Sequence, residues 1–187
     1  SVVIPTYNRL PILKKCLYSL ENQIIIDAIK DYEIVLVDDG STDGTIDWLE
    51  NNLETFPHLR LFKQTHGGPA LGRNHGVNKS NGDLIVFIDS DLVVDKYFFV
   101  NHVNTLFKAW KKQGNRKCFT YGSVINTSNF HNPKSEPFKF QYLSFAYFAT
   151  GNVAIDKNVL EKSGLFDTSF QLYGWEDLEL GERLRNM

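Results

Sequence analysis

Two cysteines, Cys16 and Cys118, are all that this 187-residue chain contains. Two thiols make neither a disulfide framework nor a metal-ligand cluster, so a reducing compartment is the expected setting. An excess of either charge sign is also lacking: 20 basic and 22 acidic side chains leave a formal net charge of −2. That balance gives no electrostatic case for a nucleic-acid or membrane-surface partner, and an anionic substrate would need local help. No uninterrupted apolar stretch reaches membrane-spanning length and no signal peptide opens the chain, so the expected location is cytoplasmic, with at most peripheral membrane contact. Repeats, low-complexity tracts and linkers are missing too. So is an initiator Met: Ser1 lies directly on "SVVIP", which already reads as a strand, and the expectation is a piece trimmed from something longer. What is present, 42% apolar and 22% charged residues, suffices for one globular domain over residues 1–187.

Short β-branched runs alternate with helical spacing. "SVVIP" (1–5), "EIVLV" (33–37), "LRLFK" (59–63) and "LIVFI" (84–88) read as strands. Between them run three apolar stripes: Leu10, Leu13, Leu17 and Leu20; Ile46, Leu49 and Leu53; and Phe99, Val103, Leu106, Phe107 and Trp110. Each stripe reads as core packing. The alternation predicts an α/β fold, a mostly parallel sheet with helices on both faces, because parallel neighbours need helical crossovers.

In such a sheet ligands gather beyond the carboxyl ends of the strands. "PTYNR" (5–9) follows the first strand, "DDGSTDGT" (38–45) the second and "DSD" (89–91) the fourth. Each has an ordinary structural explanation, since turns use Pro and Asn, and Ser, Thr and Asp cap helices. Their recurrence at successive strand ends favours a shared site. Asp89 and Asp91, at alternate positions of an extended segment, point to one side, where a hard divalent cation would relieve their repulsion. Alternatively Asp91 or Asp95 caps a helix beginning near Lys96. Asp89 lies too early for that role.

A second acidic pair, Glu176 and Asp177, sits in "YGWEDLELGERLR". Acids favour the first turn of a helix through its dipole. Yet a Gly, the aromatic Trp175 and two carboxylates also form the kind of unit that holds a sugar ring beside a base, and Asp is ionised at neutral pH. In "THGGPALGRNHG" (65–76), Gly67 and Gly68 permit an unusual backbone path, Pro69 suits the first helical position and Arg73 follows one turn in, with a planar fork for an anion. A flexible loop with a solvated Arg explains the same residues. His66, His75 and His131 are near these motifs, but a single His carries no assignment.

In order and spacing, "VVIPTYNR", "IVLVDDGSTDGT", "GGPALGRNHG", "FIDSD", "TGNVAI" and "GWEDLELGERL" resemble the inverting glycosyltransferases of family 2, with the GT-A fold. The last two motifs are similar to those of chondroitin-type polymerases. The resemblance implies that Pro5, Thr6, Tyr7 and Asp39 hold the base of a UDP-sugar, with Arg9 nearby, and that Arg73 contacts the nucleotide. It implies a DXD motif at Asp89-Ser90-Asp91: Asp91 on Mn²⁺ or Mg²⁺, Asp89 near both the ribose and the ion, and Ser90 within the donor site. Gly151 and Asn152 would line the sugar pocket, Trp175 would form an apolar wall, Asp177 would be the base and Glu176 would orient the acceptor. The implied reaction passes a sugar from a nucleotide-sugar to a hydroxyl of a saccharide, lipid-linked saccharide or other acceptor, as in polysaccharide biosynthesis. Two rivals are a nucleotidyltransferase, whose basic Gly-rich triphosphate signature "PTYNR" lacks, and a non-catalytic nucleotide-sugar or glycan-binding module. Residues 113–147, rich in aromatics, match no motif and suit a flap over a saccharide, a packed edge or a partner interface.

Overall fold

The structure, a computed structural model, describes residues 1–135, 148–170 and 175–187. Its centre is a six-stranded sheet of β1 (Val2–Thr6), β2 (Ile34–Asp38), β3 (Leu59–Lys63), β4 (Leu84–Ile88), β5 (Phe119–Tyr121) and β6 (Asn152–Asp156). The order is β3-β2-β1-β4-β6-β5. The first four strands run parallel; β6 lies antiparallel to both β4 and β5. Among the described residues, six α-helices flank it: α1 (Leu10–Glu21), α2 (Thr45–Glu50), α3 (Pro69–Lys79), α4 (Phe98–Gln113), α5 (Lys157–Lys162) and α6 (Trp175–Arg185). Among the described residues, no helix is long and apolar enough to cross a membrane.

The near-continuous apolar strands serve two cores, because successive side chains point to opposite faces. Val2, Ile4, Ile34, Leu36 and Ile88 pack with Leu13, Leu17 and Leu20 of α1, Leu49 of α2 and Phe99 and Leu106 of α4. Val3, Val35, Ile85 and Phe87 face the other way, onto Val77 of α3, Leu160 of α5 and Leu180 of α6. Phe87 meets Phe166 edge-on at 5.3 Å and Phe148 at 6.3 Å. Burying each such ring contributes about 1.5–3 kcal/mol.

Two apolar stripes stop short of their expected lengths. Leu53 lies outside α2, in a separate 3₁₀ turn, and is exposed. The Asn51 and Asn52 side chains donate to the carbonyls of Asp47 and Trp48, covering the acceptors at the end of α2. Phe107 is likewise exposed, beside a half-buried Trp110. At the other end of α4, the helix begins at Phe98, two residues after Lys96, with no side-chain cap. Asp95 accepts the Tyr97 N–H at 2.7 Å just ahead of it.

Candidate active site

The loops after β1 and β2 lock together. Asn8, at φ 51°, donates its N–H to Ser41 Oγ at 2.9 Å and accepts the Thr42 N–H on its side chain at 2.7 Å. Asp43 accepts the Leu10 N–H at 3.0 Å at the start of α1 and the Thr45 N–H at 3.1 Å at the start of α2. Much of "PTYNR" and "DDGSTDGT" is therefore structural. This bracing leaves Pro5, Thr6, Tyr7 and Asp39 on the wall of a cleft of about 230 Å³. Arg9, Arg73, Asp89, Ser90 and Asp91 line the same cleft, so nine of the expected site residues share one hollow.

Asp39 organises the loop after β3. Its Oδ1 accepts from Gln64 Nε2 at 2.7 Å and the Gly67 N–H at 2.9 Å; its Oδ2 accepts from the Gly68 N–H at 2.9 Å and lies 2.8 Å from His66 Nδ1. Three N–H donors thus serve one carboxylate, and His66 Nδ1 also lies 3.1 Å from the Asp39 carbonyl oxygen. Gly68 takes φ 89° as α3 begins with Pro69, a conformation that a side chain would strain. His66 also stacks on Tyr7, with ring centroids 4.1 Å apart. Gln64 is a residue that the motif reading passed over, and His66 one that it named without a role. They follow β3, where the same strand-end rule applies.

Arg73 reaches from α3 toward three carboxylates. Nη2 lies 3.1 Å from Asp89 Oδ1, and Nη1 lies 3.1 Å from Glu176 Oε1 and 3.6 Å from Asp177 Oδ1. Only 3% of its side chain is exposed, and Nε has no partner among the described residues. Asp177 also accepts the Thr150 N–H at 3.1 Å and its hydroxyl at 2.9 Å. Burial pushes the Asp177 carboxyl up from the usual aspartate range, although the Arg73 charge and the Thr150 hydrogen bonds pull the other way. A carboxylate raised in this way holds a proton more readily than a free aspartate.

Gly151 packs beside Asp89, whose Oδ2 would lie 3.3 Å from a Cβ added there. Asn152 turns its Oδ1 to His102 Nε2 at 2.8 Å and borders a second hollow that shares Asp91. Burial lowers the His102 pKa, favouring the neutral ring; Nε2 then donates to Asn152 and Nδ1 accepts from Thr120 Oγ1 at 2.7 Å. Trp175 is half exposed at the start of α6. Gly174 and residues 136–147 of the unassigned aromatic stretch lie outside the described residues.

Asp89 and Asp91 present only oxygens, as a hard cation requires. Arg9 already forms an ion pair with Asp91, so this end of the cleft attracts positive charge. Among the described residues no group of three or more His, Cys, Asp or Glu is gathered for a metal. A cation here would fit as one held by two carboxylates, its other positions left to water and phosphate oxygens.

Comparison with known proteins accords with this layout. The family model "Glycosyl transferase family 2" matches residues 1–164. Glycosyltransferase GlyA of Streptococcus pneumoniae serotype 4 is 31% identical over 165 residues, covering 86% of this chain and 21% of GlyA. Chondroitin synthase of Escherichia coli is 26% identical over 221 residues, covering 98% of this chain and 32% of the synthase. The solved mannosyltransferase PcManGT from Pyrobaculum calidifontis, in complex with GDP-Man and Mn²⁺, superposes with a TM-score of 0.72 at 25% identity, covering 98% of this chain and 50% of that one. The chain therefore spans half or less of each of these relatives. A match over nearly nine-tenths of its length nevertheless decides the family: the chain belongs to glycosyl transferase family 2, and its fold is GT-A.

Proposed function

We propose that this domain catalyses metal-dependent, inverting transfer of a sugar from a nucleotide-sugar, with UDP as the favoured nucleotide, to a hydroxyl of a saccharide or other acceptor. The observation that carries the reading is the single cleft in which Pro5, Thr6, Tyr7, Asp89 and Asp91 meet, with Asp177 attached to it through Arg73. Thr6 Oγ1 and Arg73 Nε are buried there without partners among the described residues, which supports a polar ligand in the cleft.

In this reading the base lies against Tyr7 and the backbone after β1, and the diphosphate lies toward Asp89 and Asp91. Mn²⁺ or Mg²⁺ held by those two carboxylates would supply Lewis-acid neutralisation of the diphosphate charge. The acceptor hydroxyl gives its proton to Asp177; its oxygen bonds to the anomeric carbon from the face opposite the diphosphate, which leaves with the electron pair of the broken C–O bond. One displacement through an oxocarbenium-like state inverts the anomeric centre. The exposed ring of Trp175 lies beside Asp177, where it suits acceptor placement; Glu176 is buried against Arg73.

The test is a panel of UDP-sugars with GDP-Man as the alternative base, each with Mn²⁺ and an oligosaccharide mixture, read by release of nucleoside diphosphate and by mass spectrometry of the acceptor. Transfer from a UDP-sugar that stops on chelation supports the proposal. Binding of a nucleotide-sugar without turnover on any acceptor would favour the non-catalytic module, and turnover of a nucleoside triphosphate would favour the nucleotidyltransferase.

A further inference from the structure

Asn152 opens β6, directly after the Gly151 that packs beside Asp89. It stands between two hollows. One, of about 540 Å³, shares Asp91 with the donor cleft and has Val124, Ile125 and Phe130 on its wall; the other, of about 300 Å³, runs along α4 past His102 and Thr120. Three elements hold the Asn152 side chain. His102 of α4 donates from Nε2 to Oδ1 at 2.8 Å, and Thr120 of β5 donates its hydroxyl to His102 Nδ1 at 2.7 Å. Gly122, just past β5, leaves the amide its room: a Cβ there would stand 2.3 Å from Asn152 Nδ2 and 2.9 Å from Oδ1.

His102 is a buried polar ring on a helix face otherwise filled by Phe98, Phe99, Val103 and Leu106. Apolar residues in place of hydrogen-bonded partners are often nearly neutral for stability, so packing alone gives no reason for this polar chain. Its direction does. With the ring neutral, both nitrogens are engaged, and Asn152 turns its carbonyl to the ring and keeps the two N–H donors of Nδ2, which meet no acceptor among the described residues.

We propose that His102 is a positioning residue: it fixes the Asn152 amide so that the Nδ2 donors meet an oxygen of a sugar bound beyond Asp91. The proposal rests on the glycosyl-transfer reading above. The oxygen belongs to the transferred sugar or to the acceptor, and either source must offer a lone pair there, from a hydroxyl, a carboxylate or an amide carbonyl.

The experiment compares the parent with His102→Gln, His102→Asn, Asn152→Ala and the double variant of the last two, each checked by circular dichroism and thermal unfolding. Glutamine can place an N–H near the position of Nε2, and asparagine only near that of Nδ1, so the first keeps the tie to Asn152 and the second does not. Calorimetry in Mn²⁺ with UDP, UDP-glucose, UDP-N-acetylglucosamine and UDP-glucuronic acid reads what the sugar adds to affinity; kinetics at saturating donor on the oligosaccharide mixture reads acceptor KM. His102→Asn and Asn152→Ala should each lose about tenfold, the scale of one hydrogen bond, with UDP affinity and the His102→Gln variant within about threefold of the parent. Loss on the calorimetric arm assigns the oxygen to the transferred sugar, and loss on the kinetic arm assigns it to the acceptor. The double variant should lose no more than the worse single one, because His102 acts through Asn152. A merely structural His102 would lower the melting temperature of both its variants and leave added sugar affinity and acceptor KM at parent values, which overturns the proposal. Equal losses in His102→Gln and His102→Asn, a loss of UDP affinity itself, or losses that multiply in the double variant overturn it too. Should neither His102 variant fold, Gly122→Ala, whose added Cβ would press on the same amide, decides by the same readings. A parent that binds and transfers from no UDP-sugar would instead sink the transfer reading.

Discussion

Replacing Gly76 by Ala tests how the α3–β1 contact positions the cleft. A Cβ at residue 76 would stand 2.4 Å from Val3 Cγ1 and 3.5 Å from Val3 Cβ, and Val3 is fully buried. Real Cβ contacts do not come so close, and Val3, β-branched and held in a central strand between β2 and β4, has little rotamer freedom with which to yield. Two effects oppose each other. Alanine favours a helix interior over glycine by about 0.8–1.0 kcal/mol. Overpacking a close-packed core costs about 1–3 kcal/mol. The net expectation is a loss of about 0–2 kcal/mol, or a melting temperature lower by up to about 8 °C for a domain of this size. Relief comes most easily by moving α3 outward, which carries Arg73 from Asp89 and Glu176, so kcat should fall more than stability does. Urea unfolding read by fluorescence, with kinetics on the same preparations, checks both. A Val3→Ala background makes the argument sharper: room appears where the methyl was, and the cycle should show about 1 kcal/mol or more of favourable coupling. Should Gly76→Ala alone gain about 1 kcal/mol, as helix propensity predicts with no clash, the close approach of α3 to β1 would be refuted.

Asp177→Asn should lower kcat about 10²–10⁴-fold and leave UDP affinity unchanged, by kinetics and calorimetry. Because burial raises the Asp177 carboxyl, the acid limb of kcat should lie above the ordinary aspartate value of about 3.9, with activity lost as pH falls through it; a limb at or below that value would contradict the assignment. Asp91→Ala should weaken UDP binding in Mn²⁺ by about tenfold or more while leaving binding in chelator little changed, by paired titrations. Glu33 is held down to about 2: burial pushes its carboxyl up, but hydrogen bonds from Ser1, the Asn81 N–H and Arg60 outweigh that and the Arg60 charge adds to them. A depressed carboxylate stabilises the fold above its unfolded pKa and loses that contribution as pH falls through its folded one. Glu33→Gln should therefore flatten the pH dependence of stability between about 4.5 and 2, measured by urea midpoints.

The central parallel strands were legible because each must be apolar on both faces, which leaves an uninterrupted apolar run such as "LIVFI"; "LRLFK", at the sheet edge, alternates and is only partly buried, and both are strands end to end. The antiparallel edge was not. Phe119–Tyr121 is three residues long, too short for any period, and "TGNVAI" drew notice as a motif although its last four residues, 152–155, lie in β6. The carboxylates at the strand ends were legible for the same reason as the strands, since position in a parallel sheet dictates which loops meet. What position does not dictate is orientation. A single Arg one turn into a helix reads equally as a nucleotide ligand or a solvated charge, and nothing local announces that Glu176, 103 residues later, arrives within 3.1 Å of it. Asp39 teaches the same lesson from the opposite side: its oxygens accept from a loop whose glycines were noticed for their freedom, whose His66 was noticed without a role and whose Gln64 was not noticed at all. Long-range pairing of charges is the step at which this chain's sequence stops determining roles, because a guanidinium that can satisfy three carboxylates advertises none of them locally. That is why the decisive measurements concern the packing of α3 beneath Arg73 and the hold of His102 on Asn152, and not the motifs themselves.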